Sequence, residues 1–541
     1  MDSYQNCMGS FNWKRCILKM KKILAVLLSF CVSITFIYSE KYRISEGNYT
    51  TEGKFKLATT KPYILDMKYP LDKKTIFTED QLNSYISNYS QELKNSRFFQ
   101  EISVDYELTG ETERKTIKDV EEEITLVKVN VSVVDSNHFL LIPYATLKDD
   151  LSETKLTPKI KAKDTNFLGS MNPLNAEFNI EIFKKSNEGF WKFKPGINIS
   201  YDYPFKAGLV DLTWVNAYAL DFTFGENTPE WQIKTGLKAS LPINKVTLVL
   251  EGYQYFYREN DYITYNDEVY FANEAQFSTP VTLYRFKNFS NLTYTPYVNF
   301  FYNYDINSIN PNNDNLVSPI INFGHQISNS KIDWFDNFRK GYSYTLKNTW
   351  PYNFYTRDWY PSISFEGLLF QYYKLEDRNY LDKVGFAVDF YAFHYFDFGS
   401  QRYPSANSGY GEKIGPRLRG VTDDSYFGNQ KIPYTTSTAV VINIDLPINI
   451  ISTNFKHDII NFDMQFSPFM DIAIYRDRAL PLQTDSVICA GMEVLVYPKK
   501  WSSFTIRASI GFDLKKAISE NNMIKGLWHN KEFSIGLGLH Y

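Results

Sequence analysis

Apolar and polar residues alternate along most of the chain beyond residue 158. The last nine residues, Phe533 to Tyr541, place an apolar side chain at every odd position and Ser534, Gly536, Gly538 or His540 at every even one. This period of two predicts a strand with one apolar face. Similar segments separated by clusters of Asn, Asp, Gly and Pro predict about sixteen strands. The predicted strands lie near residues 175–183, 191–203, 206–224, 230–243, 245–258, 267–278, 290–306, 318–330, 341–353, 362–374, 384–396, 437–449, 462–475, 487–497, 503–513 and 532–541.

Helical periodicity is confined to the region before these strands. Residues 40–69 are mostly polar and are expected to be a linker, and residues 70–150 to be a small α+β domain. Thr78 is a candidate helix cap, and Leu82, Ile86 and Leu93 recur at helical spacing behind it. Two strands follow, the second with valine at every other position from 127 to 133.

An apolar run from Ile23 to Tyr38 follows Lys19, Lys21 and Lys22, and small Ser39 stands before Glu40. This order predicts a signal peptide over residues 1–39, with Met20 as an alternative start and a retained membrane helix as the competing interpretation. Three of the four cysteines lie within or before this run, so Cys489 would be alone in the exported chain. An intrachain disulfide or thiolate metal site is therefore not expected.

The composition favours a membrane barrel over a soluble sheet. Aromatic residues make up 17% of the 541 residues, yet the mean hydropathy is −0.35. Strands that alternate between lipid and a polar interior produce this combination. Beyond the N-terminal run no stretch of unbroken apolar residues is long enough for a spanning helix, and only helices and closed sheets satisfy their backbone in lipid. The predicted fold is mainly β, an antiparallel transmembrane β-barrel over residues 160–541.

The chain ending resembles the C-terminal insertion signal of bacterial outer-membrane proteins, which has a polar residue, a glycine, an apolar residue and a final aromatic. The matching residues are Ser534, Gly536, Leu539 and Tyr541. The resemblance implies an outer-membrane location with the N-terminal domain in the periplasm. An ordinary terminal strand of a soluble sheet is the alternative.

Four further features resemble the outer-membrane assembly-factor superfamily that includes BamA, TamA and the two-partner-secretion transporters. The helix, Phe98, Phe99 and the strand with Val104 resemble a polypeptide-transport-associated (POTRA) domain. Asp164, Asn166, Phe167 and Gly169 resemble the family's start-of-barrel motif. Leu418, Arg419, Gly420 and Val421 resemble the tip of its sixth extracellular loop. Phe469 and Asp471 resemble a motif in one of its barrel strands.

The resemblance implies that Arg419 and Asp471 clasp the loop to the barrel wall. Inside the barrel, a poorly solvated guanidinium needs a carboxylate, which Asp471 would supply. An exposed arginine and an unrelated aspartate are the alternative. Val421 stands where the family has an aromatic residue, Ala473 stands where it has glycine, and only one POTRA-like module precedes the barrel.

The expected function is assembly, insertion or translocation of other proteins at the outer membrane. The implied partners are outer-membrane lipids, unfolded client proteins and accessory periplasmic proteins. The net charge of −3 provides no excess of positive charge that would attract nucleic acid, so nucleic-acid binding is not expected. The six histidines are scattered and no catalytic motif occurs, so no enzyme activity, metal or cofactor is expected. A diffusion channel, and an adhesin that uses residues 398–436, remain the alternatives.

Overall fold

The computed structural model is mostly β. It describes residues 40–54, 58–117, 120–149, 153–185, 189–222, 229–258, 269–286, 288–304, 319–354, 356–375, 382–396, 410–421, 434–456, 461–476, 484–519, 524, 526–527 and 531–539. The predicted signal peptide, residues 1–39, and Tyr541 lie outside these residues. Within the described residues, no helix is both long and apolar enough to cross a membrane.

The N-terminal region contains a four-stranded sheet with the order β2-β1-β4-β3 and two helices. Its elements are β1 (Lys41–Glu52), α1 (Pro62–Lys68), β2 (Phe77–Thr78), α2 (Glu79–Ser96), β3 (Phe99–Ile117) and β4 (Val120–Asp135). The predicted linker over residues 40–69 is therefore wrong, since it contains β1 and α1. Only Tyr42 and Ile44 are buried in β1. Two buried side chains are too short a repeat to distinguish a strand from a polar linker.

Helix α2 begins and packs as its sequence predicts. The hydroxyl of Thr78 accepts the backbone N–H of Gln81 at 3.4 Å, and the Gln81 side chain accepts the N–H of Thr78 at 3.0 Å. This reciprocal pair is a capping box. Leu82, Ile86 and Leu93 are buried, as their spacing predicts.

The chain divides into two compact units, whose boundary crosses the N-terminal domain. The described part of the first unit is residues 40–47, 72–86 and 106–129, and the second holds all other described residues. Within the first unit, Lys41 pairs with Glu122 at 2.5 Å and the hydroxyl of Tyr106 donates to Asn83 at 3.2 Å. Every contact described below lies within the second unit.

A large antiparallel sheet contains most of the remaining strands, which largely pair with their neighbours along the chain. Its strands are β5 (Phe139–Asp149), β6 (Glu153–Asp164), β7 (Leu174–Lys185), β8 (Lys192–Ala207), β9 (Val210–Asp221), β10 (Glu230–Ile243), β11 (Val246–Arg258), β12 (Val269–Ser278), β13 (Val281–Arg285), β14 (Asn291–Tyr304), β15 (Ile320–Phe335), β16 (Phe338–Asn353), β17 (Asp358–Trp359), β18 (Ser362–Lys374), β19 (Lys383–Tyr395), β22 (Thr438–Asp445), β23 (Ile448–Ser452), β24 (Phe462–Arg476), β25 (Thr484–Pro498), β26 (Ile506–Asp513) and β27 (Lys531–Leu537).

The large sheet begins earlier than predicted. Strands β5 and β6 pair with each other, with Leu141 opposite Ala162, and β6 also pairs with β7. The predicted barrel start at residue 160 and domain end at 150 are therefore wrong. The predicted strands omit β5 and β6, together with the shorter β13 and β17. Pro143 and Pro158 interrupt the repeat. Because proline has no backbone N–H to donate to a neighbouring strand, a segment that contains it is not readily predicted to be a strand.

The two faces of the large sheet differ in polarity. On the outer face, Leu250, Phe277 and Leu346 are 58%, 45% and 41% exposed. The opposite, inner face carries polar pairs such as Lys238 with Glu251 at 2.8 Å. The side chains of successive residues on one strand therefore alternate between an exposed apolar face and a polar face.

The described residues of the long link between β19 and β22 pack against the inner face. They include the two-residue strands β20 (Glu412–Lys413) and β21 (Thr435–Thr436), which pair with each other, and a 3₁₀ turn at Gly415–Arg417. Between β26 and β27 lies the short helix α3 (Leu514–Ser519). Residues 410–421 carry the loop tip predicted from sequence, and are called the inner loop below.

Candidate functional site

The inner loop is anchored by apolar side chains. Ile414, Leu418 and Val421 are 1%, 0% and 0% exposed and belong to one buried cluster with residues of the sheet. The sheet residues in this cluster are Tyr391, Phe393, Ala439, Val441, Ala473, Tyr475, Val487 and Cys489. The two departures from the family motif, Val421 and Ala473, thus lie in the same cluster, where a branched aliphatic side chain and a methyl group fill the space.

Arg419 is the polar centre of the contact. Its Nη2 donates to Oδ1 of Asp471 at 2.6 Å, and its Nε donates to Oδ2 at 3.0 Å. The backbone N–H of Arg419 also donates to Oδ2 of Asp471 at 2.7 Å, and Nη1 donates to Asp445 at 2.7 Å. The structure therefore brings together the two residues of the predicted clasp in a bidentate pair, the strong geometry for arginine and carboxylate.

The surroundings of this pair exclude water. Arg419 is 4% exposed and Asp471 is 0% exposed. The guanidinium carbon lies 3.7 Å from the ring centroid of Phe469, a cation–π contact. Burial alone would lower the pKa of Arg419, but the hydrogen bonds to Asp471 and the charges of Asp471 and Asp445 raise it above the ordinary value. The guanidinium therefore stays charged.

Gly420 extends the contact to the last strand. Its backbone N–H donates to Oε2 of Glu532 in β27 at 2.7 Å. Its φ is +97°, and a Cβ there would lie 2.5 Å from the backbone nitrogen of Phe512 in β26. A Cβ at Gly511 would lie 2.8 Å from the Gly420 nitrogen. The loop tip and β26 thus meet backbone to backbone, which only glycine permits.

Four of the contacted residues, Asp445, Phe469, Gly511 and Glu532, lie in one row across neighbouring strands. In register, Asp445 lies opposite Phe469, Phe469 opposite Gly491, Gly491 opposite Gly511, and Gly511 opposite Glu532. This row is called the clasp row below. The loop tip therefore crosses the strands from β22 to β27.

The neighbouring Arg417 makes a second, more exposed set of contacts. Its Nη1 donates to Glu366 at 2.9 Å, and its guanidinium carbon lies 3.5 Å from the Tyr391 ring centroid. Its carbonyl accepts a hydrogen bond from Asn443 at 2.8 Å. Like Arg419, it attaches the inner loop to the sheet by charge and by an aromatic ring.

Three residues of the clasp row that contact the loop tip were not predicted from the sequence. They are Asp445, Gly511 and Glu532. Each occupies an inner-face position of its strand, so strand parity would have marked them as facing the loop. Parity does not give register, however, and only register puts them in one row.

The start-of-barrel motif occupies the turn between β6 and β7. The Asn166 side chain is buried and donates to Thr60 at 2.8 Å, and its Oδ1 accepts the N–H of Met171 at 2.8 Å. Gly169 has φ +70°, and its carbonyl accepts the N–H of Lys61 at 3.0 Å. The motif therefore fastens residues 58–61 to a turn within the sheet instead of preceding its first strand.

In the same turn, Asp164 accepts the backbone N–H of Asn166 at 2.9 Å and contacts His138 at 2.6 Å. The Phe167 ring lies 5.8 Å from the Tyr201 ring. The motif thus also holds its own turn and packs against β8.

The POTRA-like residues lie at the start of β3. Phe99 is buried, and Phe98 and Val104 are half-buried. The carbonyl of Phe98 accepts the N–H of Ser136 at 2.8 Å.

The terminal motif is only partly described. The Ser534 and Ser509 hydroxyls are 2.7 Å apart, and Gly536 lies opposite Arg507. Strand β27 ends at Leu537, before Leu539, and Gly538 has φ +94°. Phe533 and Ile535 are exposed on the outer face, as the alternation predicts.

The chemistry of the clasp is that of a structural contact between the loop and the sheet. Arginine carries only donors, and here they are directed at carboxylates. Over the described residues, no group of three or more His, Cys, Asp or Glu side chains is arranged to hold a metal ion.

No family model matches the sequence, and no curated protein matches it. Among solved structures, CdiB from Acinetobacter baumannii is similar over 87% of this chain and 70% of its own, with 11% identity and a TM-score of 0.43. CdiB from Escherichia coli covers 87% and 73%, with 10% identity and a TM-score of 0.42. BamA from Haemophilus ducreyi lacking POTRA domains 1–3 covers 87% and 80%, with 11% identity and a TM-score of 0.28. These low values decide nothing about function, which rests on the residues of this chain.

Proposed function

We propose that this protein is an outer-membrane barrel of the BamA/TamA type that inserts or translocates other proteins. In this proposal residues 1–39 are a signal peptide, the N-terminal domain is POTRA-like and periplasmic, and β5 to β27 form the barrel. The clients are unfolded proteins, accessory periplasmic proteins are possible partners, and the protein is not an enzyme.

The outer face supports the membrane location. Large apolar side chains are exposed on many strands, for example Leu237 at 51%, Ile474 at 53% and Ile535 at 56%. Soluble proteins rarely expose contiguous apolar surface on this scale, whereas a barrel wall presents it to lipid.

Closure of the sheet is supported by the strand order and by burial. In that order β27 is followed by β5. A loop on the face of an open sheet would leave its side chains accessible, but Leu418, Arg419 and Val421 are each 4% exposed or less. A surrounding wall accounts for this burial.

The single observation that carries the proposed function is the Arg419–Asp471 clasp. A simple diffusion channel does not need a loop fastened by a buried charge pair to strands β22 to β27. A translocating barrel does, because its seam between last and first strands must loosen for a client while the adjoining wall stays in place. The seam would join β5 to β27, and β27 has only 7 residues. A strand of this length forms few ladder hydrogen bonds with its neighbour, so the seam is the weakest joint of the proposed barrel. The edge exposed when the seam loosens can pair with an incoming strand.

The test is a double-mutant cycle with Asp471→Asn, Arg419→Ala and both together. The measurements are heat-modifiable electrophoretic mobility and assembly or secretion of other outer-membrane proteins in a strain depleted of the parent protein. We expect Arg419→Ala to destabilise the barrel by about 3–5 kcal/mol, because it leaves the buried carboxylates of Asp471 and Asp445 without their partner. Asp471→Asn should cost less, because Arg419 keeps its pair with Asp445. The double variant should be no worse than Arg419→Ala, since it also removes the charge of Asp471 and leaves only Asp445 without the guanidinium.

Lys413→Ala is the matched control, because Lys413 is an exposed cation of the same inner loop and an exposed charge contributes only about 0–1 kcal/mol. Client assembly should follow barrel stability across the series. Parental behaviour of all the clasp variants would exclude the clasp as a functional element. Loss of barrel stability with normal client assembly, together with ion conduction by the parent, would favour a diffusion channel.

A further inference from the structure

A cavity of about 480 Å³ lies where the end of β4 approaches the turns that follow β6 and β25. Its lining includes Lys54, Ser136, His138, Phe139, Asp164 and Trp501. All of these residues belong to one compact unit. The cavity is separate from the clasp.

One side of the cavity is suited to a membrane surface. Phe139 and the nearby Leu141 are each 55% exposed, at the start of β5. The indole Nε1 of Trp501 donates to the carbonyl of Phe139 at 2.9 Å. Exposed aromatic rings at the end of barrel strands, with tryptophan foremost, are typical of the membrane–water interface.

A second side offers hydrogen-bond donors to an anion. The hydroxyl of Ser136 is buried, and no hydrogen-bond partner for it is found over the described ranges. Buried polar atoms without a partner are uncommon and call for an explanation. Lys54 lines the same cavity, and its Nζ donates to Asn137 at 2.9 Å, which uses one of its three donors.

A third side offers an acceptor to a cation. Asp164 contacts both Nδ1 of His138, at 2.6 Å, and the N–H of Asn166, at 2.9 Å, through the same oxygen, Oδ1. Its second oxygen, Oδ2, has no hydrogen bond among the residues the structure describes. The His138 contact holds the carboxylate in place beside the cavity.

We propose that this cavity binds the zwitterionic phosphoethanolamine headgroup of a phospholipid in the inner leaflet of the outer membrane. The phosphate is placed against Lys54 and the Ser136 hydroxyl, the ammonium against Asp164, and the acyl chains along Phe139 and Leu141. A donor group and an acceptor group in one cavity suit a headgroup that carries both charges better than a purely anionic one. This inference rests on the proposed function, because the phospholipid is met only if the sheet lies in a membrane.

The site would hold a lipid beside the first strand of the proposed seam. Phe139 is the first residue of β5. A lipid fixed there would occupy the start of the edge that β27 meets, so its headgroup chemistry would influence how easily the seam loosens.

The experiment is native mass spectrometry of the purified full chain in detergent, titrated with phosphatidylethanolamine, phosphatidylglycerol or inorganic phosphate. We expect phosphatidylethanolamine to bind about tenfold more tightly than phosphatidylglycerol, and Lys54→Gln and Ser136→Ala each to weaken it by about tenfold, the effect of one hydrogen bond to a charged group. Lys499→Gln is the matched control, since Lys499 lies in the same turn as Trp501 but donates to Thr453. It should leave lipid binding unchanged.

Ser136→Ala also separates a binding role from a structural one. Because the hydroxyl has no partner in the described protein, its removal should leave the heat-modifiable transition unchanged while it weakens lipid binding. Equal binding of the two lipids, parental binding by both variants, or displacement of the lipid by inorganic phosphate would each overturn the headgroup site. Failure of the parent to insert into vesicles would overturn the proposed function itself, whereas insertion without headgroup preference would overturn only this inference.

Discussion

At the scale of single residues, the clasp depends on glycine as much as on charge. The strength of the Arg419–Asp471 pair requires that the loop tip come close enough for backbone and side-chain donors to reach one carboxylate. Gly420 and Gly511 allow this approach, because each lacks the Cβ that would meet the other strand or loop. The charged pair supplies attraction and the glycines set the distance.

We expect Gly420→Ala to weaken the clasp by about 1–3 kcal/mol, because it places a side chain both at a positive φ and against the Phe512 backbone. The φ of Gly511 is not positive, so Gly511→Ala should show only the loss of stability that comes from the steric clash. The temperature midpoint of the change in heat-modifiable mobility measures the stability of both variants.

Gly252→Ala is the control, since a Cβ there would meet nothing within 4 Å. A lowered midpoint in the control equal to that of Gly420→Ala would mean that glycine replacement anywhere in the sheet is costly, and the specific role of Gly420 would be lost.

At the scale of elements, the end of helix α2 is held by the last residues of β15. Asn95 donates to Asp333 at 2.8 Å and accepts the N–H of Trp334 at 2.9 Å. The guanidinium carbon of Arg97 lies 4.4 Å from the Trp334 ring centroid and 5.0 Å from that of Tyr497 in β25. Burial lowers the pKa of Arg97 to about 10, which is still well above neutral pH, so the cation persists.

In the proposed barrel this contact holds the helix end beside the periplasmic turns. Each cation–π contact of a desolvated arginine is worth about 0.5–2 kcal/mol, so Arg97→Ala should release the helix end more often. We expect more frequent open events in planar-bilayer conductance than for the parent protein.

Arg114→Ala is the matched control, because Arg114 is an exposed arginine of β3. Its conductance should equal that of the parent. If the conductance of Arg97→Ala also equalled that of the parent, the contact between the end of α2 and β15 would have no influence on how often the proposed barrel opens.

At the scale of the whole molecule, the large sheet has an apolar outer face and a polar inner face. Neighbouring residues on one strand experience these two environments. In β12, Phe277 is exposed on the outer face, whereas Gln276 lies on the inner face, opposite Glu251 of β11. The same substitution at these two adjacent positions therefore compares the environment of the outer face with that of the inner face.

Phe277 lies opposite Val298, at the middle of β14. We therefore expect Phe277→Arg to reduce the stability of the protein folded in lipid vesicles by about 2–4 kcal/mol, as for arginine at the middle of the lipid face of other barrels. Gln276→Arg should be tolerated, since it places a cation beside Glu251. The measurement is denaturant-induced unfolding from vesicles. A neutral Phe277→Arg would contradict the membrane location, because a soluble sheet loses little when an exposed ring becomes charged.

The sequence by itself determined the elements that are read from local repeats. The period of two located most strands of the large sheet, and helical spacing with Thr78 located α2. It failed where the repeat is short or interrupted. β1 buries only two apolar side chains, and β5 and β6 contain Pro143 and Pro158.

Only the tertiary structure decided which distant residues meet. The motifs suggested Arg419 and Asp471 as partners, but the contributions of Asp445, Gly511 and Glu532 follow from strand register. The cavity beside Phe139 likewise joins segments that are far apart in the chain. The physical reason is that alternation records which face a side chain takes, whereas register and loop placement arise from pairing and packing between strands, which no local pattern specifies.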